Sequence, residues 1–238
     1  MRLLFVTDVR SPISQNWIRY FAERGDEIYI ASTFQGEVDF PVKRLEFTPV
    51  AFSAAKKQTS RPGSASLRTL GLRTLFRQWF GPLTIPRSAA LRKLRAFIQE
   101  VKPDIVHAMR VPYEGMLTAY ALTRGGRVGG GSRYALPGYS TIAAVHLHRT
   151  AFGAVQVSRP RPPKFIVSTW GNDFTLHAPS TPLMRYYTHL TMNKVNALHA
   201  DTERDVRLAR EWGLSGDKAT LLVPGNGGVR SDVFYQPV

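Results

Sequence analysis

The chain contains no cysteine. Disulfides and thiolate metal sites are thereby excluded, which agrees with a reducing compartment without requiring one. Long apolar runs are missing as well. The N-terminal run Leu3 to Val6 is followed by Thr7 and Asp8, too short for a signal-peptide core or a membrane span, and no other stretch approaches 18 apolar residues. The expectation is a soluble or peripheral protein, cytoplasmic or held at the inner membrane face. Acidic residues are absent from two stretches. Between Phe47 and Gln99 there are ten basic residues and no acidic one; between Gly115 and Asn172 there are seven and none. These windows hold 17 of the 32 Lys and Arg, so the remainder, with 15 basic and 17 acidic residues, is close to neutral. A near-neutral scaffold with two basic segments concentrates anionic partners: lipid headgroups, nucleic acid or phosphorylated small molecules.

What is present reads as alternating strand and helix. "RLLFVT" (2–7) is a short buried strand. Ser11-Pro12 starts a helix as N-cap and first-turn proline, and Gly25 ends it. "DEIYIAS" (26–32) is a second strand, completing a βαβ unit of a parallel sheet. A short strand is expected at 42–47, a helix over 87–101, a strand at 104–109 and a helix at 112–123. Strands at 164–170, 197–200 and 219–223 then alternate with helices at 181–195 and 203–212. The fold class predicted is α/β, one doubly wound parallel sheet of Rossmann-like type over residues 1–223, with no internal repeat. It carries a basic segment at 48–100 and a Gly- and Pro-rich insertion at 124–163.

In such sheets ligands bind beyond the carboxyl ends of the strands. After the first strand, Ser11, Ser14 and the free amides of the helix start are either an anion-binding site or a plain capped helix. The glycine fingerprint of a dinucleotide site is absent. After "DIVHAM", His107 is either a structural histidine or the first group at the rim. After "KFIVST" comes "WGNDF", where Asp173 either caps its loop, or binds sugar hydroxyls, or orients an amine or a His. His146 and His148 are spaced to share one side of a strand, but no third ligand lies near, so no metal site is expected. Leu72, Leu75, Phe76, Trp79 and Phe80 form one apolar helical face beside Arg73 and Arg77, with Gly81-Pro82 expected to stop the helix. Either this is a basic amphipathic helix lying on an anionic membrane, or the face packs on the sheet and the arginines are solvated. No nucleic-acid motif is visible.

"MRLLFVTD…SPISQNWIRYFAERGDEIYIAS", "KPDIVHAM", "FIVSTWGNDF", "ALHADTERDVRLAREWGL" and "LLVPGNGGVRSDVF" occur in that order. Together they resemble the N-terminal half of a GT-B fold retaining glycosyltransferase, of the large family four. The resemblance covers most of residues 1–35, 102–123 and 164–236. It implies transfer of a sugar from a nucleotide sugar to an acceptor hydroxyl with retained configuration, without a bound cofactor or metal. It implies that Asp173 and His107 stand at the reacting centre and that Trp170, Gly171 and Asn172 line the cleft near the transferred sugar or acceptor. Asn226, Gly227 and Gly228 would line the cleft floor, within a linker at 224–238 that crosses into a C-terminal donor domain. Where relatives often have glycines near the donor diphosphate, this chain has Ser11 and Pro12; Met109 and Arg230 also depart from the usual residues. The expected partners are a glycan or lipid-linked acceptor, an anionic membrane surface reached through Arg73, Arg77, Trp79 and Phe80, and the missing domain. Self-association through the exposed interdomain face is a further expectation, and nucleic acid is not. Without the donor domain, little or no transfer is expected. The alternatives are a non-catalytic module docking on a membrane or protein, and half of a GT-B sugar-nucleotide epimerase.

Overall fold

A computed structural model describes residues 1–50, 79–83, 85–123 and 162–223. Arg73, Arg77, Asn226, Gly227, Gly228, His146 and His148, with nearly all of the 124–163 insertion, lie outside the described residues.

Among the described residues seven strands form one parallel sheet: β1 (Arg2–Thr7), β2 (Glu27–Ser32), β3 (Arg44–Phe47), β4 (Ile105–Ala108), β5 (Lys164–Ser168), β6 (Ala197–Ala200) and β7 (Ala219–Leu222). Their order is β3-β2-β1-β4-β5-β6-β7. The order reverses between β1 and β4, the switch point at which the loops beyond two neighbouring strands part and open a crevice. Register follows the hydrophobic pattern: Phe5 pairs with Ile30 on one side and with His107 on the other, and His107 pairs with Ile166.

The helices start where short oxygen-bearing side chains satisfy free amides. Ser11 caps α1 (Pro12–Glu23), Ser88 caps α2 (Ala89–Val101), Thr181 caps α4 (Pro182–Lys194) and Thr202 caps α5 (Glu203–Glu211). Between α2 and α4 lies the short α3 (Met116–Leu122), which has no side-chain cap. Gly25, at φ 88°, lets the chain leave α1, a conformation that other residues rarely adopt.

The sheet has two unequal faces. The apolar sides of α2, α3, α4 and α5 pack with Leu4, Val6, Val106, Phe165, Val167 and Leu198. On the opposite face α1 packs with Leu3, Phe5, Ile28 and Ile30. Among the described residues α1 is alone on that face, so cover thins from β4 outward: Ile166 and Ala197 are half-buried and Ala219 is exposed.

Two expectations about elements are corrected. The helix expected at 112–123 begins only at Met116, because residues Val111–Gly115 form a wide turn in which Tyr113 sits at φ 63°, ψ −60°. Those angles match the rare γ-turn of positive φ, a strained conformation that surrounding contacts must hold. Gly81-Pro82, expected to stop a helix, lie within a helical stretch, since residues 79–83 are helical. Both residues are buried, and packing outweighs their local preference.

Candidate functional site

The loops after β1, β4 and β5 meet at the switch point, and one carboxylate joins two of them. Asp173 is 1% exposed. Its Oδ1 accepts from Arg110 Nη2 at 3.2 Å; its Oδ2 accepts from the amides of Val111 at 3.1 Å and Trp170 at 3.2 Å. The carboxylate thus clamps the loop after β4 to the loop after β5. Burial pushes the Asp173 pKa above its ordinary value, against the pull of Arg110 and the two amides. Burial works against the Arg110 charge, yet Asp173, Glu114 and Asp8 together hold its pKa above the ordinary arginine value. The Arg110 guanidinium lies 5.6 Å from the centre of the Trp170 ring, within cation–π reach. Its side chain remains 37% exposed, and its buried Nε has no hydrogen-bond partner among the described residues.

The neighbouring groups are fixed in turn. Arg10 Nε and Nη2 donate to the two Asp8 oxygens at 2.9 and 2.8 Å, and its guanidinium lies 3.7 Å over the Phe34 ring. Buried Glu114 accepts from Thr33 Oγ1 at 2.8 Å. Gly115 is packed so tightly that a Cβ there would stand 2.9 Å from the Arg110 carbonyl oxygen. The wide turn therefore brings Arg110 to the crevice only because residue 115 lacks a side chain.

The residues expected from sequence fall into three groups. Trp170, Gly171 and Asn172 form the accessible rim: Trp170 is half-buried and the other two are exposed. The Gly171 carbonyl accepts from Arg204, and the Asn172 carbonyl accepts from the amides of Leu176 and His177. Ser11 caps α1, and buried Ser14 accepts from Thr7 Oγ1 at 2.8 Å, inside the start of the helix rather than on the crevice wall. Asp173 and His107, expected at the reacting centre, are both buried. Trp79 and Phe80 are exposed and lie in the helical turn 79–83.

His107 belongs to a chain of polar groups crossing three strands. Its Nε2 lies 2.9 Å from Ser168 Oγ, which lies 3.0 Å from His199 Nδ1; His199 Nε2 lies 3.1 Å from the Val223 carbonyl oxygen. The carbonyl can only accept, so His199 Nε2 carries its hydrogen. With His199 neutral, Nδ1 then accepts from the Ser168 hydroxyl, and Ser168 accepts from His107 Nε2–H. Trp17 stacks on His199 at 4.4 Å and 12° and meets His107 edge-on. Burial, and then the neighbouring His199, lower the His107 pKa to about 3. Burial lowers that of His199 too, opposed by the Val223 carbonyl and Asp201. The chain is a neutral, ordered network under α1, and it ties the end of β7 to the middle of the sheet.

Sequence reasoning missed Arg110, Glu114, Ser168 and His199. Arg110 had a usable signal, a cation directly beyond the strand that flanks the switch point. Ser168 and His199 had a fainter one, polar residues at matching places in short apolar strands. A hollow of about 560 Å³ lined by Gln35, Gly36, Glu37, Leu45 and Phe47 lies beside β3, at the sheet's other edge. Among the described residues no group of three or more His, Asp and Glu is placed to hold a metal ion.

No protein-family model matches the chain, and no curated protein matches it. Among solved structures, a sucrose-phosphate synthase from Thermosynechococcus elongatus is similar at 8% identity with a TM-score of 0.41, the match covering 94% of this chain and 88% of that one. A likeness this loose says nothing about substrate.

Proposed function

We propose that the chain is the acceptor-binding half of a retaining glycosyltransferase, with a sugar or glycolipid hydroxyl bound in the switch-point crevice. The observation that carries the proposal is the Arg110–Asp173 clamp, which fixes the loops after β4 and β5 around Trp170. The five ordered segments resembling family four support the same reading. The local charge favours a neutral polyhydroxylated ligand over a free phosphate: Asp8, Glu114 and Asp173 stand against Arg10 and Arg110. An aromatic face and a guanidinium held by carboxylates suit sugar rings and hydroxyls. Asp173 acts as a positioning residue, because its oxygens already accept from three donors. Arg110, Trp170, Gly171 and Asn172 meet the acceptor. A second Rossmann-like domain, implied by the family resemblance, holds the donor nucleotide sugar.

The test is calorimetry of this chain against oligosaccharide and glycolipid headgroup fragments, alongside nucleotide sugars. The expected result is binding of one acceptor class, weakened about tenfold or more in Arg110→Ala and Trp170→Ala, consistent with loss of a charged hydrogen bond or a stacking face, with no turnover of nucleotide sugars. Turnover or epimerisation of a nucleotide sugar by this chain alone, or binding unaffected by both variants, overturns the proposal.

A further inference from the structure

The hollow of about 560 Å³ beside β3 has the size of a small-molecule site. Its walls come from two places. Leu45 and Phe47 stand two apart on β3 and so share one face of the strand. Leu45 packs with the cluster that α1 covers, which puts that face on the α1 side of the sheet. The rest of the lining, Gln35, Gly36 and Glu37, belongs to the loop after β2. That loop is held against the loop that carries Arg10. Gln15 Nε2, on α1, donates to the carbonyl oxygens of Val9 at 2.8 Å and Glu37 at 3.3 Å. Ser32 Oγ accepts from the amides of Val9 at 3.2 Å and Phe34 at 3.3 Å. A Cβ on Gly36 would stand 2.8 Å from a Val9 methyl and 3.2 Å from Arg10 Cγ, so the close approach needs a glycine. Phe34 carries the Arg10 guanidinium on its ring. Arg10 follows β1 and Phe34 follows β2, so this pair forms the ridge between the switch-point crevice and the hollow.

We infer that the hollow is a second sugar subsite, and that the acceptor is an oligosaccharide running from the crevice over Arg10 into it. The inference rests on the acceptor-binding reading above and names the class of acceptor which that reading leaves open. The chemistry of the lining selects the ligand. Leu45 and Phe47 offer an apolar wall to the C–H face of a sugar ring. Gln35 and Glu37 offer an amide and a carboxylate to its hydroxyls. Both side chains are exposed, and among the described residues neither makes a hydrogen bond or an ion pair. Glu37 is the one charged residue of the lining, and its sign disfavours phosphates and nucleotides. Distance selects the length. Two strand spacings, about 10 Å, separate β1 from β3, so a single ring in the crevice does not reach the hollow while a chain of about three rings does.

The test is calorimetry of the 238-residue chain against α-linked gluco- and manno-oligosaccharides of one to four rings. Within the series that binds, affinity should rise about tenfold or more from one ring to three, the worth of one or two added hydrogen bonds. In Q35A/E37A, with an unchanged thermal melt, most of that gain should vanish. Phe47→Trp supplies a second readout through a conservative change. It keeps an aromatic wall, and its added indole should shift in NMR spectra with the three-ring sugar and not with the one-ring sugar. The Trp170 indole reports on the crevice separately. Affinity that does not depend on ring number, with the Trp170 indole shifting, overturns the inference and leaves the acceptor-binding reading intact. A length gain as large in Q35A/E37A as in wild type, or an added indole that the three-ring sugar does not move, overturns it in the same way. Binding of none of these sugars overturns the inference together with the reading it rests on.

Discussion

Lowering the pH from about 7.5 to 4.5 should cost this fold about 2.5 kcal/mol through His107 alone. The perturbation is protonation of an imidazole that the fold keeps neutral. In the unfolded chain the group titrates at its ordinary value of 6.5; in the fold, burial and the nearby His199 bring it to about 3. A histidine with a depressed pKa contributes stability that is intact above 6.5 and lost as the pH falls from there toward 3. Within that window the unfolded chain binds a proton that the native state refuses. Two pH units below 6.5, the difference amounts to about two factors of ten in the folding equilibrium. His199, shifted the same way, adds loss of the same sign. The variant that isolates the effect is His107→Leu. Ser168 donates its hydrogen to His199, so removing His107 strands no buried donor, and leucine keeps apolar contact with Phe5 and Trp17. Urea titrations at about pH 7.5, 6.5, 5.5 and 4.5 give the stability of each protein. Wild type should lose about 2.5 kcal/mol more than His107→Leu across this range. Parallel losses in the two proteins refute the reasoning, since they place the acid sensitivity elsewhere.

Other substitutions test the clamp and the turn that presents it. Asp173→Ala leaves the amides of Val111 and Trp170 and the Arg110 guanidinium without their acceptor; about 3 kcal/mol is expected, discounted because Arg110 is partly exposed. A melt should read this as a fall in Tm of about 6–12 °C. Gly115→Ala should cost about 1–3 kcal/mol, because the new methyl meets the Arg110 carbonyl oxygen at 2.9 Å and the Thr191 and Val167 methyls at 3.1 and 3.3 Å. Denaturant midpoints check this. Thr181→Ala removes the cap that accepts from the Met184 amide and should cost about 1 kcal/mol without changing ligand affinity, a control for stability effects on the site.

The scaffold was legible because its signals are local. Strand and helix alternation, the Ser11-Pro12 start and the Gly25 stop are set by neighbours in sequence, and β1, α1 and β2 match their expected bounds within a residue. The wide turn at 111–115 was not legible. Pro112 is an ordinary helix start, and nothing near Tyr113 announces a positive φ. That conformation rests on the distant Asp173, whose carboxylate holds the Val111 amide. The site divides in the same way. The rim at Trp170-Gly171-Asn172 follows from its place beyond a strand, but the role of Asp173 depends on which donors the fold brings to it. His107 could be located in a strand from sequence, whereas its neutrality depends on Ser168 and His199 from two other strands.

The central claim is that an acceptor sugar binds at the β1–β4 switch point. Amide and indole chemical-shift mapping by NMR, during titration with the acceptor fragment that binds tightest, tests it most directly. The account predicts perturbations concentrated at residues 8–11, 110–115 and 170–173, with the Trp170 indole among the largest shifts, and their loss in Arg110→Ala. Saturable shifts confined to other surfaces, with the Trp170 indole unmoved, contradict it.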